Sequence, residues 1–374
     1  MFTPRVLRAA LRWLGHEPES RKQHCVEVLR RVRLRLVGPH ALEEALNNVQ
    51  DPYMAGMLDL LKAVLASREP RERARRHLYV VGGVRHDLSR IDVLEALHTV
   101  ERLDTCKKVW EEVAPMHFHR SAPGVAVIGN RLYAVGGRGS RNLLANGEAY
   151  DPVSNKWSRI ADMSKPRRSF GLVALHNKLY AFGGVGDLNR EASVEVYDPE
   201  LDEWTVVGEM PEPRCGMGVV SYDGAAYLVG GSTQTQGYTN DLLHYNPVTG
   251  EWRRLAPLKH ARGCTAAVVL DSRLYVVGGG AIPGDSDEFI PSNRVECYIF
   301  AKNEWEVIRC IREARVGCMA GAAGGVLVVA GGHCGVNVND VITDRVELYD
   351  SWEKKWAEGP SLPHSRSFAG AAVL

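Results

Sequence analysis

The residues of this chain that could do chemistry are scattered. Eight cysteines stand singly at 25, 106, 215, 264, 297, 310, 318 and 334. None forms a Cys-x-x-Cys pair, so no zinc or dithiol motif is written locally. With no Asn-x-Ser/Thr sequon, the pattern points to free thiols in a reducing, cytoplasmic setting. Cys215 follows Arg214, a neighbour that could lower a thiol pKa; Cys264 and Cys318 read as small packing residues. His117 and His119 make a His-x-His, two corners of a possible metal site, but no third ligand recurs nearby, so no metal or other cofactor is expected. Gly136–Ser140 and Gly183–Asp187 look able to cradle phosphate. Strand patterns rather than helix starts follow them, which makes them turns. No G-x-x-x-x-G-K-[ST] loop, no G-x-S-x-G elbow and no carboxylate pair at glycosidase spacing occurs. The chain reads as a non-enzyme.

Composition agrees. The 374 residues carry 46 Lys plus Arg against 45 Asp plus Glu, a net charge of +1, with 45% hydrophobic residues. Balanced charge gives no general drive toward nucleic acid or an anionic membrane. No apolar run approaches the ~18 residues that span a bilayer, and the first residues lack a secretory pattern. Glycine, at 37 residues, is the anomaly.

Glycine pairs begin at Gly82, Gly136, Gly183, Gly230, Gly278 and Gly331. A Trp follows each, at 110, 157, 204, 252, 305 and 356. Seven residues before each Trp stands Leu103, Tyr150, Tyr197, Tyr245, Tyr298 or Tyr349. Six after it stands Met116, Met163, Met210, Leu258, Ile311 or Leu362, and four further on is Arg120, Arg167, Arg214, Arg262, Arg315 or Arg366. The step from this Tyr (Leu103 in the first unit) to the next Gly pair is always 33 residues, while the step from Gly pair to Tyr varies from 14 to 21. A constant frame with one variable loop puts the variable loops on one rim. Each unit reads as four short strands: a small-residue strand, one ending in Gly-Gly, one ending in Tyr and one around Trp. Four strands per repeat of about fifty residues predict a β-propeller blade. Tyr and Trp are expected to pack between blades, and the recurring Arg to tie blade to blade through carbonyls or carboxylates. The last unit stops after its small-residue strand, and Ala74–Val81 supplies what it lacks. Six blades are therefore expected over residues 77–374, with residues 367–374 giving the inner strand of the first and leaving no free sheet edge.

This pattern resembles the Kelch repeat. Residues 1–66 differ. Their apolar spacing suggests short helices, around Val6–Leu14, Val28–Val32, Leu42–Leu46 and Met57–Leu65, and a charged linker over 67–76 leads to the propeller. The net +6 of residues 1–76 reads as a solvated helical face. The run from Ala10 to Leu42, with Trp13, EPESR and RLRL, resembles a BACK domain entered partway. BACK followed by Kelch is similar to the C-terminal part of the Kelch-like adaptor family. That resemblance implies a protein–protein interaction module: the substrate-recognition part of an adaptor for a cullin-3 RING ubiquitin ligase. Cullin-3 contact would then be indirect, or would need a longer form carrying the BTB domain. A second implied role is binding of actin or other cytoskeleton, and a third is competition, without BTB, against full-length adaptors. Copper oxidases share such propellers, but their Tyr, His and Cys ligand set does not assemble here.

The resemblance also implies where a protein substrate docks: on the loops after the Gly pairs and one or two residues after the repeat Arg. Carried onto this chain, Ser121, Arg168, Ser169 and Ser367 keep polar chemistry, while Gly263 and Val316 do not. The Gly-pair loops add Arg138, Arg141 and Asn142, then Asn189 and Arg190, then Gln236 and Tyr238, whereas the fifth carries Asp285, Asp287 and Glu288. The second and third blades are thus basic and the fifth acidic. An extended peptide with an acidic element is expected across the basic pair, with Arg138 and Arg168 as charge-assisted donors.

Overall fold

The computed structural model describes residues 77–374 apart from 88–89, 284–287, 336–340 and 352, and before them only 9–13, 16, 21, 24, 28 and 56. Residues 9–13 are helical, inside the first expected helix; apart from the isolated positions just named, the other expected helices and the linker of residues 1–76, and Asp285 and Asp287, lie outside the described residues.

Six four-stranded antiparallel sheets follow one another, each ordered inner to outer along the chain. The second blade, for example, runs Gly124–Ile128, Arg131–Val135, Gly147–Asp151 and Lys156–Ile160. The first differs in connectivity alone. Its inner strand is Gly370–Val373, paired antiparallel with His77–Val81 in the register Leu78↔Val373 and Val81↔Gly370. His77 and Leu374 add a reciprocal backbone pair at 2.8 and 3.0 Å. The C-terminal strand therefore closes the ring as the truncated last unit predicts, and the two ends of the propeller meet in one sheet.

Inner strands alternate buried and half-buried small residues because neighbouring blades converge there. A Cβ on Gly171 would stand 2.1 Å from Val219 Cγ2 of the next blade, so no larger residue fits. The second strands are buried almost throughout, as in Leu132–Val135. Aromatic rings meet across the blade gap at tilted angles: Tyr79 lies 5.9 Å from Tyr150 of the next blade, which lies 5.2 Å from Trp157 of its own blade. The repeat tryptophans join blades by hydrogen bonds. Trp157 Nε1 donates to Ala114 O, Trp204 to Ala161 O, Trp252 to Glu209 O, Trp305 to Ala256 O and Trp356 to Arg309 O, all at 2.7–3.0 Å. Trp110 closes the circle on Pro360 O at 2.8 Å.

The repeat arginines act differently from the expectation. All six are buried to 1% exposure or less, but their side chains stay within their own blade. Arg120 donates to Gly136 O and Asn146 O, each at 2.9 Å, and to Glu148 Oε2 at 3.0 Å. Arg167–Glu195, Arg262–Glu296, Arg315–Glu347 and Arg366–Glu101 repeat the pair. The fourth blade has Leu243 at that acid position, and Asp241 takes Arg214 instead at 2.8 Å. The guanidinium thus staples a blade's inner connection to its second and third strands. Blade-to-blade contact runs through the same residue's backbone: Arg120 O accepts Gly83 N at 2.8 Å, and the five other arginines do likewise. That approach is why the Gly pairs exist. Gly82 has φ of 63°, and a Cβ there would lie 2.4 Å from Arg120 O.

Candidate functional site

The variable loops and the connections following each Arg gather on one rim, as the frame arithmetic requires. The residue after each Arg makes an antiparallel bridge to a Gly-pair loop. These bridges are Ser121↔Arg138, Arg168↔Val185, Cys215↔Ser232, Gly263↔Gly280, Val316↔His333 and Ser367↔Val84. The next residue in each blade turns left-handed: Ala122, Ser169, Gly216, Cys264, Gly317 and Phe368, with φ of 47–62°. Their backbones form a closed ring. Ser169 N donates to Ala122 O, Gly216 N to Ser169 O, Cys264 N to Gly216 O, Gly317 N to Cys264 O, Phe368 N to Gly317 O, and Ala122 N returns to Phe368 O, at 2.7–3.1 Å. The collar around the axis spends its own amides, so a ligand meets side chains there.

Above the collar lies a bowl of about 590 Å³. Its lining is lopsided. The first blade gives Val84, Leu94 and Ala96; the second and third give Ser121, Arg138, Arg168, Ser169 and Arg190; beyond them come Cys215, Ser232, Tyr238 and Cys264. Phe368 marks the far wall: its ring covers Gly317, where an added Cβ would come within 2.8 Å of it. The floor is therefore apolar or small, and the charge is concentrated on one side.

The sequence-derived residues divide accordingly. Ser121, Arg138, Arg168, Ser169, Arg190 and Tyr238 meet in the bowl. Arg141, Asn142 and Gln236 are exposed on the same loops but do not line it. Ser367 is a correction. Its exposure is 0%, and it exchanges backbone hydrogen bonds with Val84 at 2.8 and 3.0 Å beneath the first blade's long hairpin, Val84–Asp87 with Arg90–Ala96. Its hydroxyl cannot reach a partner, although Ser121, at the same repeat position, can. Leu94, half exposed, and Val84 also line the bowl although the spacing did not single them out, and Phe368, two residues after its repeat Arg, adds apolar wall. The length of the first loop was the available signal.

Among the described residues no ion pair engages the Arg138 or Arg168 side chain; Arg190 Nη2 reaches Ser232 Oγ at 3.0 Å. Burial pushes the Cys264 thiol up to about 11 despite the nearby Arg168 guanidinium, so it stays protonated at neutral pH. The buried Arg214 guanidinium, the sequence neighbour of Cys215, pairs with Asp241 at 2.8 Å. His117 and His119 do not converge on one site. His117 Nδ1 bonds Glu148 Oε1 at 2.7 Å, and His119 Nε2 meets His98 Nδ1 at 2.7 Å. Burial, then His119, holds His98 below its ordinary pKa.

Comparison with known proteins decides the family. Residues 169–374 match the KLHDC2/KLHL20/DRC7 Kelch-repeats domain, and residues 75–117 and 119–164 each match the Kelch motif. The chain is a Kelch-repeat protein. Residues 4–47 match BACK, the BTB And C-terminal Kelch domain. Beta-scruin of Limulus polyphemus is 33% identical over 132 residues, 34% of this chain and 14% of scruin. Kelch-like protein 26 of Danio rerio is 31% identical over 121 residues, 32% of this chain and 18% of that protein. The aligned stretches thus span under a fifth of these relatives. The YjhT structure aligns with a TM-score of 0.60 at 19% identity, over 69% of this chain and 88% of that one, a likeness of fold. The propeller is accordingly a Kelch protein-binding module related to Kelch-like proteins and scruins. No helix among the described residues is long and apolar enough to cross a membrane.

Proposed function

We propose that this Kelch chain is the substrate-recognition part of a Kelch-like adaptor for a cullin-3 ubiquitin ligase, and that its bowl takes an extended segment of a protein substrate carrying an acidic element. The observation that carries the reading is the convergence of Arg138, Arg168 and Arg190 on one side of a bowl whose remaining wall is uncharged, with Val84, Leu94 and Phe368 as its apolar part. An acidic side chain would meet charge-assisted donors there, while its apolar neighbours cover Leu94, Val84 and Phe368. The BACK match supports the adaptor half of the reading, because BACK is named for its place between BTB and Kelch. Ligase recruitment would run through a full-length partner or a longer form.

The test is affinity purification of tagged residues 1–374 beside the double variant Arg138→Glu, Arg168→Glu. Partners lost from the variant, with cullin-3 among the co-purifying proteins, are the expected result. Variant-sensitive partners without a cullin would leave a binding module detached from ubiquitination, and actin among them would favour a cytoskeletal role. Partners retained equally by both forms would move the docking face away from the bowl.

A further inference from the structure

The sheet that closes the ring carries an unsatisfied charge that its sister blades do not. In the second, third, fifth and sixth blades the staple glutamate is fully engaged. One oxygen meets the arginine, and the other accepts a backbone N–H: His117 N on Glu148, Ser164 N on Glu195, Lys259 N on Glu296 and Arg312 N on Glu347, at 2.8–3.1 Å. The residue at that place for the first blade is Pro363, which has no N–H to give. Glu101 is 0% exposed, and its Oε2 has no hydrogen-bond partner. An orphaned buried carboxylate oxygen is costly unless something meets it.

Two further groups converge on the same carboxylate. His364 Nδ1 lies 3.0 Å from Glu101 Oε1 and 3.5 Å from Glu112 Oε1, and one ligand atom from each residue falls within 4.8 Å of the others. Tetrahedral ligands at ordinary zinc bond lengths stand about 3.3 Å apart. Glu112 is two residues past its tryptophan, where the other blades have Arg159, Val206, Arg254, Val307 and Glu358. Among the described residues only the first blade combines this outer carboxylate, a facing histidine and the missing donor. With Arg366 on Glu101, the two carboxylates and the guanidinium keep one net negative charge.

We infer that Glu101, Glu112 and His364 form a binding site for a zinc-type transition dication at the closure of the propeller. The ion takes the lone pair of His364 Nδ1 in the tautomer that keeps its proton on Nε2, so the ring stays a neutral imidazole ligand, and solvent completes the coordination. Glu112 and His364 side chains are 56% and 45% exposed, which gives an entry path. Glu101 lies on Val100–Asp104 and Glu112 on Val109–Val113, while His364 arrives with the C-terminal segment. A cation held by all three would add a tie between the two ends of the ring, beside the strand pairing and the Arg366–Glu101 pair that already join them.

The experiment measures thermal unfolding of the full chain in EDTA and in excess Zn²⁺, beside Glu112→Gln and His364→Gln. Both substituted side chains are exposed enough to leave the fold intact. The expected result is a rise of roughly 5 °C at a hundredfold excess over Kd, lost in both variants, whose melting in EDTA matches the parent. Co²⁺ serves as an optical probe. Visible d–d bands without a near-ultraviolet thiolate band, at one ion per chain, are expected, and both variants lose them. No metal-dependent shift, an equal shift in the variants, or thiolate bands that survive both substitutions would overturn the site; the last would place the metal on cysteines.

Discussion

Arg167 and Arg168 are consecutive residues of one connection, yet they belong to different regions of the molecule. Arg167 is fully buried, donating to Gly183 O, Ser193 O and Glu195 inside its own blade. Arg168 turns to the bowl, with no ion-pair partner among the described residues. The bridge Arg168↔Val185 enforces the split, because a strand-like pairing sends neighbouring side chains to opposite faces. The same residue type is structure in one layer and recognition surface in the next. What separates them is burial and satisfied hydrogen bonds.

The largest expected effect breaks the comparison on the buried side. Arg167→Ala leaves Glu195 charged and buried without its cation, which costs about 3–5 kcal/mol. Arg168→Ala should stay within about 0.5 kcal/mol of the parent. Denaturant unfolding of both variants checks this; comparable destabilisation would mean that Arg168 too is structural.

A buried charge with a weaker partner gives the next effect. Asp271 packs against the neighbouring blade, where Ser351 Oγ donates to its Oδ2 at 2.6 Å. Burial outweighs that bond and nearby Arg273, pushing the carboxyl up to about 6. The folded state therefore holds this proton more tightly than the unfolded chain. Stability from this group is present in acid and is lost as pH rises through about 6. Asp271→Asn keeps an acceptor for Ser351 and removes the charge. It should gain on the order of 1–2 kcal/mol at pH 7.5 and little at pH 4. A gain that is equal at both pH values would show that the charge is not the cause.

Much of this was legible in the sequence, for a physical reason. Blade contacts demand fixed spacings, so Gly-Gly, Tyr, Trp and Arg recur in register, and the missing strands of the last unit expose the closure. Side-chain direction was less legible. The arginine period shows that Arg120 matters but not that its guanidinium turns into its own blade. Glu148, two residues before Tyr150, and its counterparts in four other blades carried the answer in the same period. The rim was read by repeat position; Ser121 lines the bowl, whereas Ser367 is buried. Their positions are equivalent, but the first blade's longer loop folds into a hairpin over Ser367. Loop shape depends on contacts that no spacing encodes. The Glu101, Glu112 and His364 group draws on residues over 250 positions apart, beyond any local motif.

A smaller effect tests the blade contacts. Trp204→Phe keeps most of the ring's packing and deletes the bond from Nε1 to Ala161 O. The expected loss is about 1 kcal/mol, measured by denaturant unfolding. A loss several times greater would mean that ring packing, not the hydrogen bond, carries the contact.

The smallest effect sharpens the boundary between the two regions, because Ser169 lies on it. Its φ of 53° is a backbone conformation that costs a side-chain-bearing residue, yet the collar requires it, with Ser169 N and O both bonded to neighbouring blades. Glycine adopts that conformation freely, although the unfolded chain also gains freedom, so Ser169→Gly should stabilise by about 0.5 kcal/mol. The same change removes a hydroxyl from the bowl. Stability that rises while affinity for a captured partner falls would make Ser169 a residue held in strain for recognition. Stability that rises with affinity unchanged would confine it to the collar and leave Arg138, Arg168 and Arg190 to carry the contact. A fall in stability would mean that the collar, rather than the side chain, sets the conformation at no cost.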